Sequence, residues 1–470
     1  MSFKELNTFF YPESIAVVGA STNPSKAGYQ VVKNLTNIPY AGRVYPVNPK
    51  EDVIQGLKCY PSILDIEDKI DLLIITVPAK GVLPIIEQAV QRGDIKAVTV
   101  VSAGFSETKT EEGAMMERKL VELAKKSGMR VFGPNCTGVI NTSVHLDTTI
   151  EPTVEQVQGG ISIFSQSGAM AGAILLMLEE QPVPLGFSKW AHVGNMCDVN
   201  TLDVLDYYGQ DDSTEVICLY MEGFDEGRAL MEKAAHITHE KAVLVLKVGR
   251  NELGAKAAFS HTGSLAGKDE VYDAAFRKCG ITRVENLFEM IDTAKAMSML
   301  ELPKGNRVCI LTEAGGPGSM AMDELGKHPH MQLAHISEEG VKKLKSILPA
   351  MALVCEPDGY IDMTAAAMGD AHADALKVVL DEPEVDAVIL ISVPPTFLPP
   401  EDVSTALISK EYGPNKEKPV LTCFLAGKWV RGAHKMLEEN GWPTFQTPEQ
   451  AVRAIAKMTQ RAIYLKKVEV

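Results

Sequence analysis

Short uninterrupted apolar runs recur along the chain, each followed by a small-residue turn and then a stretch with helical spacing. The runs cover residues 15–18, 72–77, 97–101, 161–164, 216–220, 243–248, 308–311, 387–393 and 420–424. They are continuous rather than alternating, as expected of parallel strands buried on both faces. Residues 81–92, 111–127 and 448–466 carry helical periodicity between them. This order predicts an α/β protein with parallel, doubly wound sheets.

Three blocks emerge, each opening with strand, small-residue turn and helix. The first spans 1–141 and ends shortly after Gly133-Pro134-Asn135. A weakly patterned link at 143–158 leads to the second block, 158–302, which a helix at 287–300 closes. Pro303-Lys304-Gly305-Asn306 reads as a linker into the third block, 307–470, which opens with a strand and Gly315-Gly316-Pro317-Gly318. Sheets of this kind bind ligands at the carboxyl ends of their strands, so each turn is a candidate site.

Composition narrows the class. The chain has 470 residues, too many for one ordinary core. A net charge of −15 argues against general nucleic-acid binding. No apolar run is long enough to span a membrane, and the N-terminus lacks a signal core, so a cytoplasmic protein is expected. The eight cysteines are scattered with no CxxC pair, which predicts buried reduced thiols and no zinc cluster.

The first block raises the question of which nucleotide it takes. Residues 14–21 form a strand and a tight turn containing Gly19, Ala20 and Ser21. A nicotinamide-dinucleotide fingerprint needs glycines where Ser21 and Pro24 stand. The second strand ends in Asn48-Pro49-Lys50, where a ribose-binding carboxylate is expected. Lys50 suits a ribose that carries a phosphate, and Lys26 suits a pyrophosphate. Val77 and Pro78 close the third strand, and Gly104 follows the fourth. These residues favour coenzyme A over a nicotinamide cofactor; the plainer reading of the two lysines is a solvated surface.

The second block offers phosphate chemistry. Ser165-Gln166-Ser167-Gly168 links a strand to a helix, and the amides from Ser167 onward would face an anion at the helix N-terminus. The plainer reading is a serine-capped helix. The strand 216–221 ends at Glu222, and a loop of tiny residues, Ser260 to Gly267, carries His261. A histidine there suits nucleophilic attack on a phosphoryl group. Glu222 would accept its Nδ1–H and leave Nε2 as the nucleophile. Asn195 is a further rim candidate for phosphate or substrate. His236, His239, His328 and His330 read as surface residues. No HExxH or serine–histidine–aspartate pattern occurs.

Taken together, residues 14–21, 42–50, 133–138, 165–168, 220–223, 260–267 and 314–318 resemble the α subunit of nucleoside-diphosphate-forming acyl-CoA synthetases, the acetate–CoA ligase (ADP-forming) group. The chain is more distantly similar to the succinyl-CoA synthetase α subunit. The resemblance implies an N-terminal Rossmann-like domain that binds coenzyme A, with Asn135 in its cofactor site, and two flavodoxin-like domains. It makes His261 the phosphorylated residue and Glu222 its stabilising carboxylate, with Ser165, Ser167 and Gly168 in the phosphate cradle. It implies interconversion of acyl-CoA, phosphate and ADP with a small carboxylic acid, coenzyme A and ATP. ADP or ATP with Mg²⁺ would sit on a separate ATP-grasp β subunit in an α2β2 assembly. A non-catalytic acyl-CoA-binding protein of the same fold is the alternative. One departure stands out: Glu356-Pro357-Asp358-Gly359 replaces the Asn-Pro-x-Asp-type turn of relatives.

Overall fold

The computed structural model describes residues 3–224, 226–256, 268–410, 412–414 and 417–468. His261 and its neighbours at 257–267 lie outside the described residues. Contacts divide the chain into two compact units, 1–179 with 186–283 and 180–185 with 284–470.

The first unit holds two sheets and a small hairpin. Strands β1 (Ser14–Val18), β2 (Arg43–Val47), β5 (Leu72–Ile75), β6 (Ala97–Val100) and β7 (Arg130–Phe132) pair in parallel in the order β2-β1-β5-β6-β7. Strands β3 (Val53–Ile54) and β4 (Leu57–Lys58) form the hairpin. The second sheet contains β8 (Gly138–Asn141), β9 (Leu146–Asp147), β10 (Gln158–Ser165), β11 (Phe187–His192), β12 (Val216–Met221), β13 (Ala242–Lys247) and β14 (Thr282–Val284). Its order is β14-β13-β12-β10-β11-β8-β9, with β8 antiparallel to β11 and β9 antiparallel to β8.

These two sheets share a core. The N-terminal helix Phe3–Phe10 buries Phe9 against Phe132 of β7, ring centroids 4.7 Å apart, and stacks Phe10 on Tyr207 at 4.8 Å. Fully buried aromatic rings are among the largest single contributors to packing. The link at 143–157 is pinned as well. Asn34 donates to the carbonyls of Thr149 and Glu151, both at 3.0 Å, and accepts from Thr153 Oγ1 at 2.6 Å.

The second unit carries one mixed sheet of β15 (Arg307–Thr312), β16 (Gln332–Leu333), β17 (Leu353–Val354), β18 (Tyr360–Asp362), β19 (Ala387–Ser392), β20 (Val420–Phe424) and β21 (Thr444–Phe445). Its order is β17-β18-β15-β19-β20-β21, with β16 beside β15 and β17 antiparallel to β18. The expected α/β class holds.

Two block edges differ from the sequence reading. Residues 138–141, read as the end of the first block, run antiparallel along β11 in the second sheet. Their apolar run is too short to reveal which sheet it joins. The helix Leu287–Met299, read as closing the second block, lies in the second unit and packs along the helix Pro448–Val468. Lys295 on that helix is buried against Glu438 at 2.9 Å and the Thr444 carbonyl at 2.6 Å, a set of partners invisible in a periodicity plot.

Two positions give stability tests. Gly28 opens the helix Ala27–Asn37, and a Cβ built there falls 2.0 Å from the Gly19 carbonyl oxygen. Gly28→Ala must push the helix off β1. A loss of about 1–3 kcal/mol in urea unfolding is expected.

Asp147 is buried, with one carboxylate oxygen unpaired, and burial raises its pKa to about 7. The folded state therefore keeps a proton that the unfolded chain has released, and stability falls as pH rises from about 4 to about 7. The advantage of Asp147→Asn over the natural chain should grow across that window by at most about 4 kcal/mol. Urea unfolding at both ends of the window checks this.

Candidate functional site

A cleft of about 2130 Å³ opens at the carboxyl ends of the first sheet and reaches the Ser167–Gly168 turn of the second. Gly19, Ala20, Ser21, Lys26, Asn48, Lys50, Val77, Pro78 and Asn135 line it, as do Ser167, Gly168 and Asn195. The expected cofactor and phosphate residues thus converge largely on one space.

At the cofactor end, Gly19 takes φ +89°, and a Cβ there would fall 2.6 Å from Thr76 Oγ1. Only glycine fits this turn without strain. Lys26 precedes the helix Ala27–Asn37 and gives it no side-chain cap; its carbonyl takes the Tyr29 and Gln30 amides, which leaves those of Ala27 and Gly28 available. Lys26 and Lys50 are exposed, and neither forms an ion pair among the described residues. Asn48 works within the turn itself: Nδ2 donates to the Ala20 carbonyl at 2.8 Å, and Oδ1 accepts from the Lys50 amide at 2.9 Å. Gly104 differs from expectation. It takes φ +115°, lies outside the cleft lining, and its N–H donates to Glu107.

At the phosphate end, Ser165 is buried and does not line the cleft. Its hydroxyl donates to the Ser167 carbonyl at 2.7 Å and accepts from the Ser167 amide at 3.1 Å. That amide is therefore spent on the turn, contrary to expectation. The helix Gly168–Glu179 begins there, and Gly168 and Ala169 of its first turn line the cleft.

Asn195 lines the cleft, with its side chain engaged in the wall. Its amide group donates to Glu107 Oε2 at 2.6 Å, Glu117 Oε2 at 2.9 Å and Ser106 Oγ at 3.3 Å. Its oxygen accepts from Asn135 Nδ2 at 3.3 Å. Asn195 braces the cleft wall, and carboxylates already hold its donors. Burial pushes the Glu107 carboxyl up, but the hydrogen bonds from Asn195 and from the Gly104 and Phe105 amides outweigh it and hold the pKa below the ordinary value.

Two residues at this end were not singled out by sequence reasoning. His192, the last residue of β11, is buried; burial lowers its pKa to about 4. Its Nδ1 accepts from the Thr137 amide at 3.0 Å. A Cβ built on Gly168 would lie 3.0 Å from its ring, so a neutral imidazole backs the turn. Gln166 holds Glu222: its Oε1 accepts from the Glu222 amide at 2.7 Å and the Gly223 amide at 3.2 Å, while Nε2 donates to the Gly223 carbonyl at 3.1 Å. The only signal for either residue was a polar side chain at a strand end. His328 and His330, read as surface residues, are half-buried, and His330 Nε2 lies 3.0 Å from the Ala456 carbonyl.

Glu222 follows β12 and is 7% exposed. His261, its expected partner, lies outside the described residues; of the residues that flank it in sequence, Arg250 pairs with Asp269 at 3.8 Å. The 356–359 turn precedes β18, at the end of its sheet opposite the Gly315 turn that follows β15. Asp358 anchors it by accepting from the Ile336 amide at 3.2 Å and pairing with His335 Nδ1 at 2.6 Å.

Residues 13–142 match the family model of the CoA binding domain, and residues 158–297 match that of the succinyl-CoA ligase like flavodoxin domain. The acetate–CoA ligase [ADP-forming] II subunit alpha of Pyrococcus furiosus is 41% identical over 97% of this chain and 98% of its own length. The acetate–CoA ligase [ADP-forming] of Methanocaldococcus jannaschii is 38% identical, and this chain spans 63% of it. The dinucleotide forming acetyl-coenzyme A synthetase 1 of Ca. Korarchaeum cryptofilum, solved in complex with phosphate and ADP, superposes with a TM-score of 0.90 at 34% identity, over 99% of each chain. The fold and cleft define a CoA-binding subunit of the succinyl-CoA ligase type. The chain belongs to the family of α subunits of ADP-forming acetate–CoA ligases.

Asn195→Ala removes the donors that Glu107 and Glu117 share. The expected cost is about 1.5–3 kcal/mol, because two half-buried carboxylates lose a charge-assisted hydrogen bond while keeping those from Phe105 and Ser106. Denaturant unfolding of the variant checks it; unchanged stability would show that the brace carries no load.

Proposed function

We propose that the cleft binds coenzyme A and its acyl thioester and feeds a phosphoryl relay through His261. One observation carries the reading: a single space joins the Gly19–Lys26–Lys50 rim to the helix N-terminus at Gly168. Exposed Lys26 and Lys50 at one end suit the nucleotide phosphates, and the first-turn amides at the other suit inorganic phosphate. The thioester end of the ligand then lies beside the anion site.

The chemistry balances in three steps. A phosphate oxygen attacks the thioester carbonyl, the C–S bond breaks, and the thiolate takes up a proton. Next, His261 Nε2 attacks the phosphorus of the acyl phosphate, the P–O bond breaks, and the carboxylate leaves. Finally ADP takes the phosphoryl group as the P–N bond breaks. Glu222 accepts Nδ1–H and stabilises the cation on the ring. Ser167 and Gly168 form the cradle, with Ser165 as its internal brace. ADP, ATP and Mg²⁺ belong to an ATP-grasp β subunit in an α2β2 assembly, and a small carboxylic acid is the second product. The machinery is cytoplasmic and needs neither nucleic acid nor a membrane. No helix among the described residues is long and apolar enough to cross one.

Intact-mass analysis after incubation with acetyl phosphate and the β subunit tests the relay. An acid-labile phosphate adduct is expected on the natural chain and not on His261→Ala. Glu222→Gln should slow adduct formation about 10²-fold or more. An unlabelled natural chain in the complete complex would overturn the relay and leave an acyl-CoA-binding protein.

A further inference from the structure

Lys247 is the last residue of β13 and is 1% exposed. Its ammonium donates to the Glu222 carbonyl at 3.0 Å and to the Val248 carbonyl. It also stands 4.7 Å from the centroid of the Tyr272 ring. Among the described residues it makes no direct ion pair. The carboxylates of Asp269 and Glu222 act on it at longer range, and Arg283 opposes them. Burying an ammonium on carbonyls and a ring alone is costly, and such groups concentrate where function requires them.

The contacts meet at a junction. The Glu222 peptide is gripped on its N–H by Gln166, from the phosphate turn, and on its carbonyl by Lys247. Val248, the second acceptor, begins the segment that leads to His261, and its N–H donates to the Met221 carbonyl at 3.0 Å. Tyr272 sits on the helix Asp269–Lys278 that follows the same segment. One side chain therefore touches the Glu222 peptide, the start of the histidine segment and the helix beyond it.

We propose that Lys247 is a positioning residue for phosphoryl transfer, its ammonium fixing the Glu222 peptide to both roots of the segment that carries His261. The proposal rests on the relay described above. In that step the P–O bond of the acyl phosphate breaks, the carboxylate leaves, and a P–N bond forms at His261. Lys247 makes no bond to substrate. It holds the backbone of the residue whose carboxylate stabilises the ring, and the start of the chain that leads to the ring.

The test uses the chain assembled with its nucleotide-binding partner and acetyl phosphate labelled at phosphorus. Lys247→Met fills the same space without charge or donors. Its labelling rate should fall about 10–100-fold, the effect of losing charge-assisted hydrogen bonds, while the dissociation constant for coenzyme A stays within about twofold. Lys247→Arg, which keeps the charge, should label within about tenfold of the natural chain. A merely structural stem predicts natural labelling in the Met variant, and that result overturns the proposal. If the Met variant also loses coenzyme A, the Arg variant decides: a loss beyond about tenfold with coenzyme A binding intact overturns it. His261→Ala separates the two readings. A natural chain that takes no label removes the relay and this proposal together; a labelled natural chain beside an unlabelled His261→Ala leaves Lys247 to be judged alone.

Discussion

A strand buried on both faces can offer polar groups only at its ends, and every candidate site in this protein follows from that constraint. All of the residues of β12 and β13 are buried, as are those of β1, β5 and β6. The chemistry therefore collects where strands stop: Ser165 ends β10, His192 ends β11, Glu222 follows β12 and Lys247 ends β13. Parallel pairing of β10 with β11 and β12, and of β12 with β13, sets these ends side by side. The site is assembled by topology before any side chain chooses a partner.

The second unit repeats the device at the level of a single turn. Thr312 ends β15, its hydroxyl donates to the Ala314 carbonyl at 2.8 Å, and it accepts from the Ala314 amide at 3.1 Å. Ser165 makes the same pair of bonds with Ser167. In both, a hydroxyl at a strand's last position closes the turn from within, and a glycine opens the helix. The middle residue differs: Gln166 grips the Glu222 peptide, whereas Glu313 pairs with buried His372 at 2.7 Å. The frame is common to both, and what the middle side chain reaches for is not.

Much of this was legible in the sequence because it depends on residue type and spacing. Continuous apolar runs announced parallel strands, and glycine with small neighbours announced the turns. The failed dinucleotide fingerprint together with Lys26 and Lys50 pointed to coenzyme A. What stayed hidden depends on direction. Asn195 sits on the rim as expected, yet its amide turns towards Glu107 and Glu117. Gln166 and His192 were passed over because a polar residue at a strand end announces no partner. Lys247 was absorbed into an apolar run, where its four-carbon stem fits and its charge does not show. The helix Leu287–Met299 has the same periodicity whichever sheet it covers.

Energetics separate the residues that hold the fold from those the fold merely tolerates. Arg130 donates to Asp198 at 2.8 Å, and the same carboxylate oxygen accepts the Val131 amide at 2.8 Å. That bond joins β7 to the loop after β11 and is worth about 1.5–3 kcal/mol as a charged hydrogen bond. Lys247 has no such return. Even a buried ion pair can often be exchanged for apolar side chains of similar volume without loss of stability, and Lys247 has no direct ion-pair partner among the described residues. Its two carbonyl acceptors recover part of the desolvation cost, and the Tyr272 ring adds about 2 kcal/mol at most by cation–π attraction. Stability alone gives little reason for an ammonium at that position. Its position is accounted for by what lies on either side of it, the Glu222 peptide and the two ends of the histidine segment.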